Sequence, residues 1–115
     1  MAERRKNLPA PPRFVCADLA SPVPRAVRPW LHLQDDEVAP AVLAVDEPGR
    51  VEWSSLWPDR PDLRVVFTLD HGDGGTDVRW VLYAAEPLPG PEHTRHLARR
   101  VSTLVFADLR HSYGQ

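Results

Sequence analysis

A single cysteine, Cys16, leaves this chain without an intramolecular disulfide, which suits a reducing cytoplasm. Long apolar runs are also missing. Nothing approaches the ~20 apolar residues that cross a bilayer, and the basic start MAERRKNLPAPP has no apolar stretch behind it, so no signal peptide is read there. Neither sign of charge is in excess: 14 basic and 16 acidic side chains give a net charge of −2. Such a balance offers no general attraction to nucleic acid or anionic lipid. The expectation is a cytoplasmic chain without targeting, with no nucleic-acid and no membrane partner.

Proline is what the chain has in plenty. Its 13 prolines fall before residue 62 and within residues 87–91, where they stiffen loops and limit where strands and helices can begin. At 115 residues, one domain is the default. Pro9, Pro11 and Pro12 exclude helix interior from the first twelve residues, so residues 1–12 read as a flexible N-terminal arm. Pro11 and Pro12 suit the first turn of a short helix, PPRFVCADLA, with Phe14, Val15 and Leu19 as its apolar face. Trp30, Leu31 and Leu33 fall in irregular backbone and would plug one end of a core. VAPAVLAV over residues 38–45 reads as a strand at an edge, or one beginning after Pro40.

Three clearer strands follow. Val51, Trp53, Ser55 and Trp57 alternate with Glu52, Ser54 and Leu56; Val65, Phe67 and Leu69 alternate with Arg64, Val66 and Thr68; Val78, Trp80 and Leu82 alternate with Asp77, Arg79, Val81 and Tyr83. One apolar face recurs on all three, as a sheet needs in order to hold a helix. Residues 71–76, HGDGGT, supply a hairpin turn between the last two. Glu52, Arg64, Asp77 and Arg79 are placed to pair across the opposite face. A helix starts at Gly90-Pro91 and ends at Gly114, with Leu97, Val101, Leu104, Val105 and Leu109 as its apolar stripe. Asp108 interrupts that stripe and Phe106 lies off it, free to meet a loop or a partner.

VEWSSLW, LRVVFTLDHGDGGTDVRWVL and HLARRVSTLVFADLRHSYGQ, in that order, resemble the C-terminal half of the SRPBCC superfamily, which includes START-domain, polyketide cyclase-like and birch-pollen-allergen-like proteins. The chain is most similar to short, actinobacterial-type members with a WSSLWP-type strand. The resemblance covers about residues 37–115 and rests most on Gly74-Gly75-Thr76 leading into Val78-Arg79-Trp80. It implies an α+β, helix-grip fold: a twisted antiparallel sheet of four to six strands gripping a long C-terminal helix, with a short N-terminal helix, in a single START-like domain over residues 13–115. One departure is expected. The family opens with a long N-terminal strand, and the prolines of residues 9–12 leave no obvious room for it.

The resemblance also implies an apolar cavity between sheet and helix. Its candidate lining is Trp53, Ser55, Trp57, Phe67, Trp80 and Leu82 from the sheet with Leu97, Val101 and Leu104 above, Ser55 serving as a polar anchor. The competing reading is that these rings simply fill the core. His93 and His96 lie three apart, but Glu92 is the only close carboxylate and no HExxH motif is present, so no metal is expected. The acidic run Asp35, Asp36, Glu37 and the cluster Asp70, His71, Asp73 read as solvated loop charges rather than acid–base machinery. Ser54 and Ser55 lack a GxSxG context. The leading reading is therefore a non-catalytic binding module for a hydrophobic or aromatic small molecule, with no cofactor. Two others stay open. One is a protein-interaction domain of the heat-shock ATPase activator type, a homodimer or a complex formed through the sheet edge and suggested by Trp30 and Phe106. The other is a small cyclase- or dehydratase-like enzyme, for which Ser55 and a histidine would converge on a cavity.

Overall fold

The computed structural model describes residues 2–22, 30–85 and 89–113. Five strands form one antiparallel sheet: β1 (Ala2–Leu8), β2 (Val42–Asp46), β3 (Arg50–Ser54), β4 (Arg64–Gly72) and β5 (Gly75–Tyr83). Their spatial order is β1-β5-β4-β3-β2, so the chain's first two strands form opposite edges. Between them in sequence comes helix α1 (Pro12–Leu19). Helix α2 (Pro91–Ser102) continues without a break into π-type winding over Thr103–Leu109 and a last turn, α3 (Arg110–Ser112).

The alternation on β3, β4 and β5 resolves as its pattern requires. Val51, Trp53, Val65, Phe67, Val78, Trp80 and Leu82 are fully buried on one face, and cross-strand pairs such as Phe67 with Trp80 hold them in register. Asp73 and Gly74 both have positive φ, the geometry that a two-residue hairpin loop needs to match strand twist. β2 begins just after Pro40, at an edge, where a missing amide donor upstream costs no ladder bond. A cis Glu47–Pro48 peptide lies in the turn that follows it.

The opening residues depart from expectation. They form β1, which pairs with β5 from Ala2–Leu82 to Leu8–Thr76. The prolines at 9, 11 and 12 come after the strand and do not interrupt it. Its charged sequence, Glu3-Arg4-Arg5-Lys6, hid it, because an edge strand can carry charge on both faces. β1 also changes the outer-face partners: Arg79 pairs with Glu3, and Asp77 accepts a 2.9 Å hydrogen bond from Asn7. Glu52 pairs instead with Arg50 two residues away, and Arg64 donates to the carbonyls of Pro61 and Leu63.

On the inner face, Val15, Cys16 and Leu19 of α1 are buried, whereas Phe14 is half exposed beneath Arg13. Leu19 at the helix end accepts a 2.6 Å hydrogen bond from the Trp53 indole, fixing α1 over β3. Leu97, Val101, Leu104, Val105 and Leu109 of the C-terminal helix join the same core, and Phe106 packs against it half-buried. Leu104 and Leu109 are five residues apart and both fully buried, as i→i+5 winding allows, while Asp108 is left half-buried. The C-terminal end is tied back to α1 by a 2.6 Å hydrogen bond from the Tyr113 hydroxyl to Asp18. Gly114, expected as the helix stop, lies outside the described residues. Among the described residues no helix is long and apolar enough to cross a membrane.

Candidate functional site

The rings proposed to line a cavity pack against one another. Trp30 stacks on Trp53 at 6.1 Å between ring centroids, and Trp53 meets Phe67 edge-on at 4.7 Å. Trp53, Phe67, Trp80, Leu82, Leu97, Val101 and Leu104 all have zero exposure. Trp30 belongs to this core rather than to the surface. The Trp53 indole N–H has its partner in Leu19, but the equally buried Trp80 N–H has none among the described residues.

Ser55 and Trp57 are placed elsewhere. β3 ends at Ser54, so the alternation stops before reaching them. The Ser55 hydroxyl is occupied by its own turn, accepting from the Trp57 amide at 2.9 Å and donating to the Trp57 carbonyl at 3.0 Å. With Val38, Ser54, Pro58 and Pro61, these two residues line a shallow depression of about 260 Å³ at the end of the sheet. Serine in a tight turn often spends its hydroxyl on the local backbone, and that signal was available in Ser55-Leu56-Trp57-Pro58.

The larger open space lies between β1 and the first half of α2, with a volume of about 460 Å³. Ala2, Pro89, Pro91 and Ala98 supply apolar wall; Glu3, Arg4, Thr94 and Arg95 supply polar groups. The register of the sheet explains the floor. Ala2 stands opposite Leu82, and Arg4 stands opposite Trp80. Since Leu82 and Trp80 face the helix, Arg4 does so as well, although it is exposed at the uncovered edge. Pro91, at the first helical position, sets where α2 starts and so where this groove ends. This groove could not be read from the sequence, because its β1 wall was not recognised as a strand.

The acidic run has one member that is not solvated. Glu37 is buried and gripped by Arg100 of α2 through bonds of 2.8 and 2.7 Å. Burial pushes the Glu37 carboxyl up. Hydrogen bonds from Arg100 and the Gln34 amide, with the Arg100 charge, outweigh that and hold it below the usual carboxylate value. Asp108 is raised, chiefly by burial, against the opposing pull of His32, Arg100 and His111. Asp35, Asp36, Asp70, His71 and Asp73 are exposed. His93 and His96 stack on each other, exposed on α2. Among the described residues no three metal-ligating side chains come together.

No family model matches the chain, and no curated protein matches it in sequence. Solved structures do match its fold. The Aha1 dimer from Colwellia psychrerythraea superposes with a TM-score of 0.66 at 13% identity, covering 93% of this chain and 92% of that one. Ara h 8.0201 gives 0.62 at 13% identity, covering 99% and 97%. DynU16, from the dynemicin biosynthetic locus, gives 0.70 at 16% identity, covering 99% of this chain and 47% of its own. With the five-stranded antiparallel sheet, the short first helix and the long last one, these likenesses show that the chain has a helix-grip fold.

Proposed function

We propose that this chain is a non-catalytic binding module for an apolar or aromatic small molecule held between the sheet and the C-terminal helix. The observation that carries this reading is the groove of about 460 Å³ between β1 and α2, within the usual size range of ligand sites. Trp80 and Leu82 stand opposite Arg4 and Ala2 in the sheet register, so the buried aromatic face lies behind the β1 wall of the groove. Phe67, Trp53, Leu97, Val101 and Leu104 then back that face as packed support. The test is a thermal-shift and tryptophan-fluorescence screen of alkyl and polycyclic aromatic compounds, repeated on Ala98→Trp, which fills the groove. Binding to the parent chain and loss in the variant are expected. Silence across the screen, or equal binding by the filled variant, removes the reading.

A second reading has its own observation. The β2 edge exposes Leu43 (46%) and Val45 (41%), with Val38 (45%) nearby, whereas β1 at the other edge is guarded by Arg4, Arg5 and Lys6. An apolar edge strand with free backbone groups is suited to pairing with another strand. The Colwellia protein is described as a dimer, and a second copy of this chain pairing β2 with β2 is the corresponding arrangement here. Light scattering over a concentration series tests it: self-association that Val45→Lys abolishes supports the reading, and a monomer at every concentration ends it. The cyclase-like reading has no such support. All five histidines are exposed, and none bonds to Ser55 among the described residues.

A further inference from the structure

Arg4 and Arg95 line one cavity from two different elements, the edge strand β1 and helix α2. Neither has a carboxylate partner among the described residues; Arg4 donates only to the neighbouring Glu3 carbonyl, at 2.7 Å. The acidic side chain closest in sequence, Glu3, is already committed to Arg79 on the outer face. The groove therefore holds two cations beside one lining carboxylate, Glu3, which is bonded to Arg79. Lys6 adds a third cation on the same side of β1, since it stands opposite Val78 of the buried face. Like charges brought together repel. The amino end of the twelve-residue α2 also opens on this space at Pro91, and the helix dipole makes that end partly positive.

We infer that the groove takes an anionic amphiphile: a small molecule with a carboxylate or phosphate head between Arg4 and Arg95 and an apolar tail against Ala2, Ala98 and the prolines. This rests on the binding reading above and adds the chemistry of the head group. The bland alternative is that inward-facing charges on β1 merely protect a sheet edge from pairing. It accounts for Arg4 and Lys6 but not for Arg95, which sits on the helix facing the same space.

Titration calorimetry with decanoate, decyl phosphate and decanol separates these cases. Decanoate or decyl phosphate should bind at least about tenfold tighter than decanol, and whichever anion binds tighter names the head group. Arg4→Gln and Arg95→Gln should each weaken the anions by about tenfold, equivalent to about 1.4 kcal/mol, and leave decanol unchanged. Both sites are exposed, so folding should survive, which circular dichroism checks. Amide shifts on adding the anion should centre on Ala2, Thr94 and Ala98, and affinity should fall with added salt. Decanol binding as tightly as the anions, indifferent to both substitutions, overturns the head-group inference and spares the binding reading. Binding of none of the three removes both. Attachment only to phosphatidylglycerol vesicles, and not to the free anions, also overturns the inference by making the groove a membrane-facing patch.

Discussion

Arg100 of α2 closes a two-pronged, buried ion pair on Glu37, sixty-three residues earlier, and its other contact is the His32 carbonyl at 3.1 Å. One guanidinium thus pins the loop before β2 to the middle of the C-terminal helix. Removing one partner from such a pair strands a buried charge, which typically costs about 3–5 kcal/mol, whereas replacing both with apolar groups is often nearly neutral. Glu37→Ala and Arg100→Ala should each lower stability by roughly that amount. Urea unfolding should show the double variant Glu37→Leu/Arg100→Met losing much less than either alone. A double variant as damaged as the sum of the singles would show that the pair does not act as a unit.

Acid should weaken that tie. Glu37 has a folded-state pKa below its ordinary 4.5, so its contribution is complete above that pH and is lost as pH falls through the lower, folded value. Asp108 runs the other way. Burial lifts its pKa above the ordinary 3.8, so keeping it ionised in the folded chain costs stability as pH rises from 3.8 through the folded value. Asp108→Asn should therefore be more stable than the parent at pH 7, and the difference should vanish below pH 3.8. Urea midpoints measured from pH 3 to pH 8 check both signs. A pH-independent difference between the two chains would mean that Asp108 is not held in a desolvated site.

The two central indoles should answer differently to the same substitution. Truncating either to alanine removes a fully buried ring, and Trp80→Ala should cost roughly 3–5 kcal/mol. Phenylalanine separates them. Trp53→Phe deletes the donor that the Leu19 carbonyl accepts at 2.6 Å, whereas Trp80→Phe deletes a donor with no acceptor among the described residues. Denaturant unfolding should show Trp53→Phe less stable than Trp80→Phe by about 1–3 kcal/mol, the usual range for an orphaned buried group. Equal losses would indicate that the Leu19 contact contributes nothing net.

Much of this architecture was legible because period-two and helical patterns survive wherever one face is buried and the other is wet. The runs around Trp53, Phe67 and Trp80 are of that kind, and so is the Leu97-to-Leu109 stripe. Reading failed where that contrast is absent. The strand Ala2–Leu8 meets water over most of its length, so Glu3-Arg4-Arg5-Lys6 carries no alternation, and the groove it walls could not be foreseen. Ser55 was assigned to the inner face by carrying the strand alternation on to Trp57, three residues past its end at Ser54, through a turn that uses the Ser55 hydroxyl. Glu37 looked like its exposed neighbours Asp35 and Asp36. Its partner is sixty-three residues away, and no local pattern reveals so distant a contact.

The seating of β1 depends on one small residue. A β-carbon placed on Gly75 would overlap the Leu8 carbonyl, a backbone atom that cannot swing aside. The Leu8–Thr76 strand pairing and the 2.6 Å hydrogen bond from the Thr76 hydroxyl to the Ala10 carbonyl hold that corner shut. Gly75→Ala should lever the end of β1 off β5 and cost about 1–3 kcal/mol, as overpacking does. At Gly49 an added β-carbon meets nothing nearer than 3.9 Å, so Gly49→Ala should stay within about 0.5 kcal/mol of the parent. Hydrogen exchange localises the damage. In Gly75→Ala the amides of β1 should lose protection while those of the β4–β5 hairpin keep theirs, and ligand affinity for the β1–α2 groove should drop with them. Protection lost evenly across the sheet would mean that β1 is not a separately detachable wall of the groove.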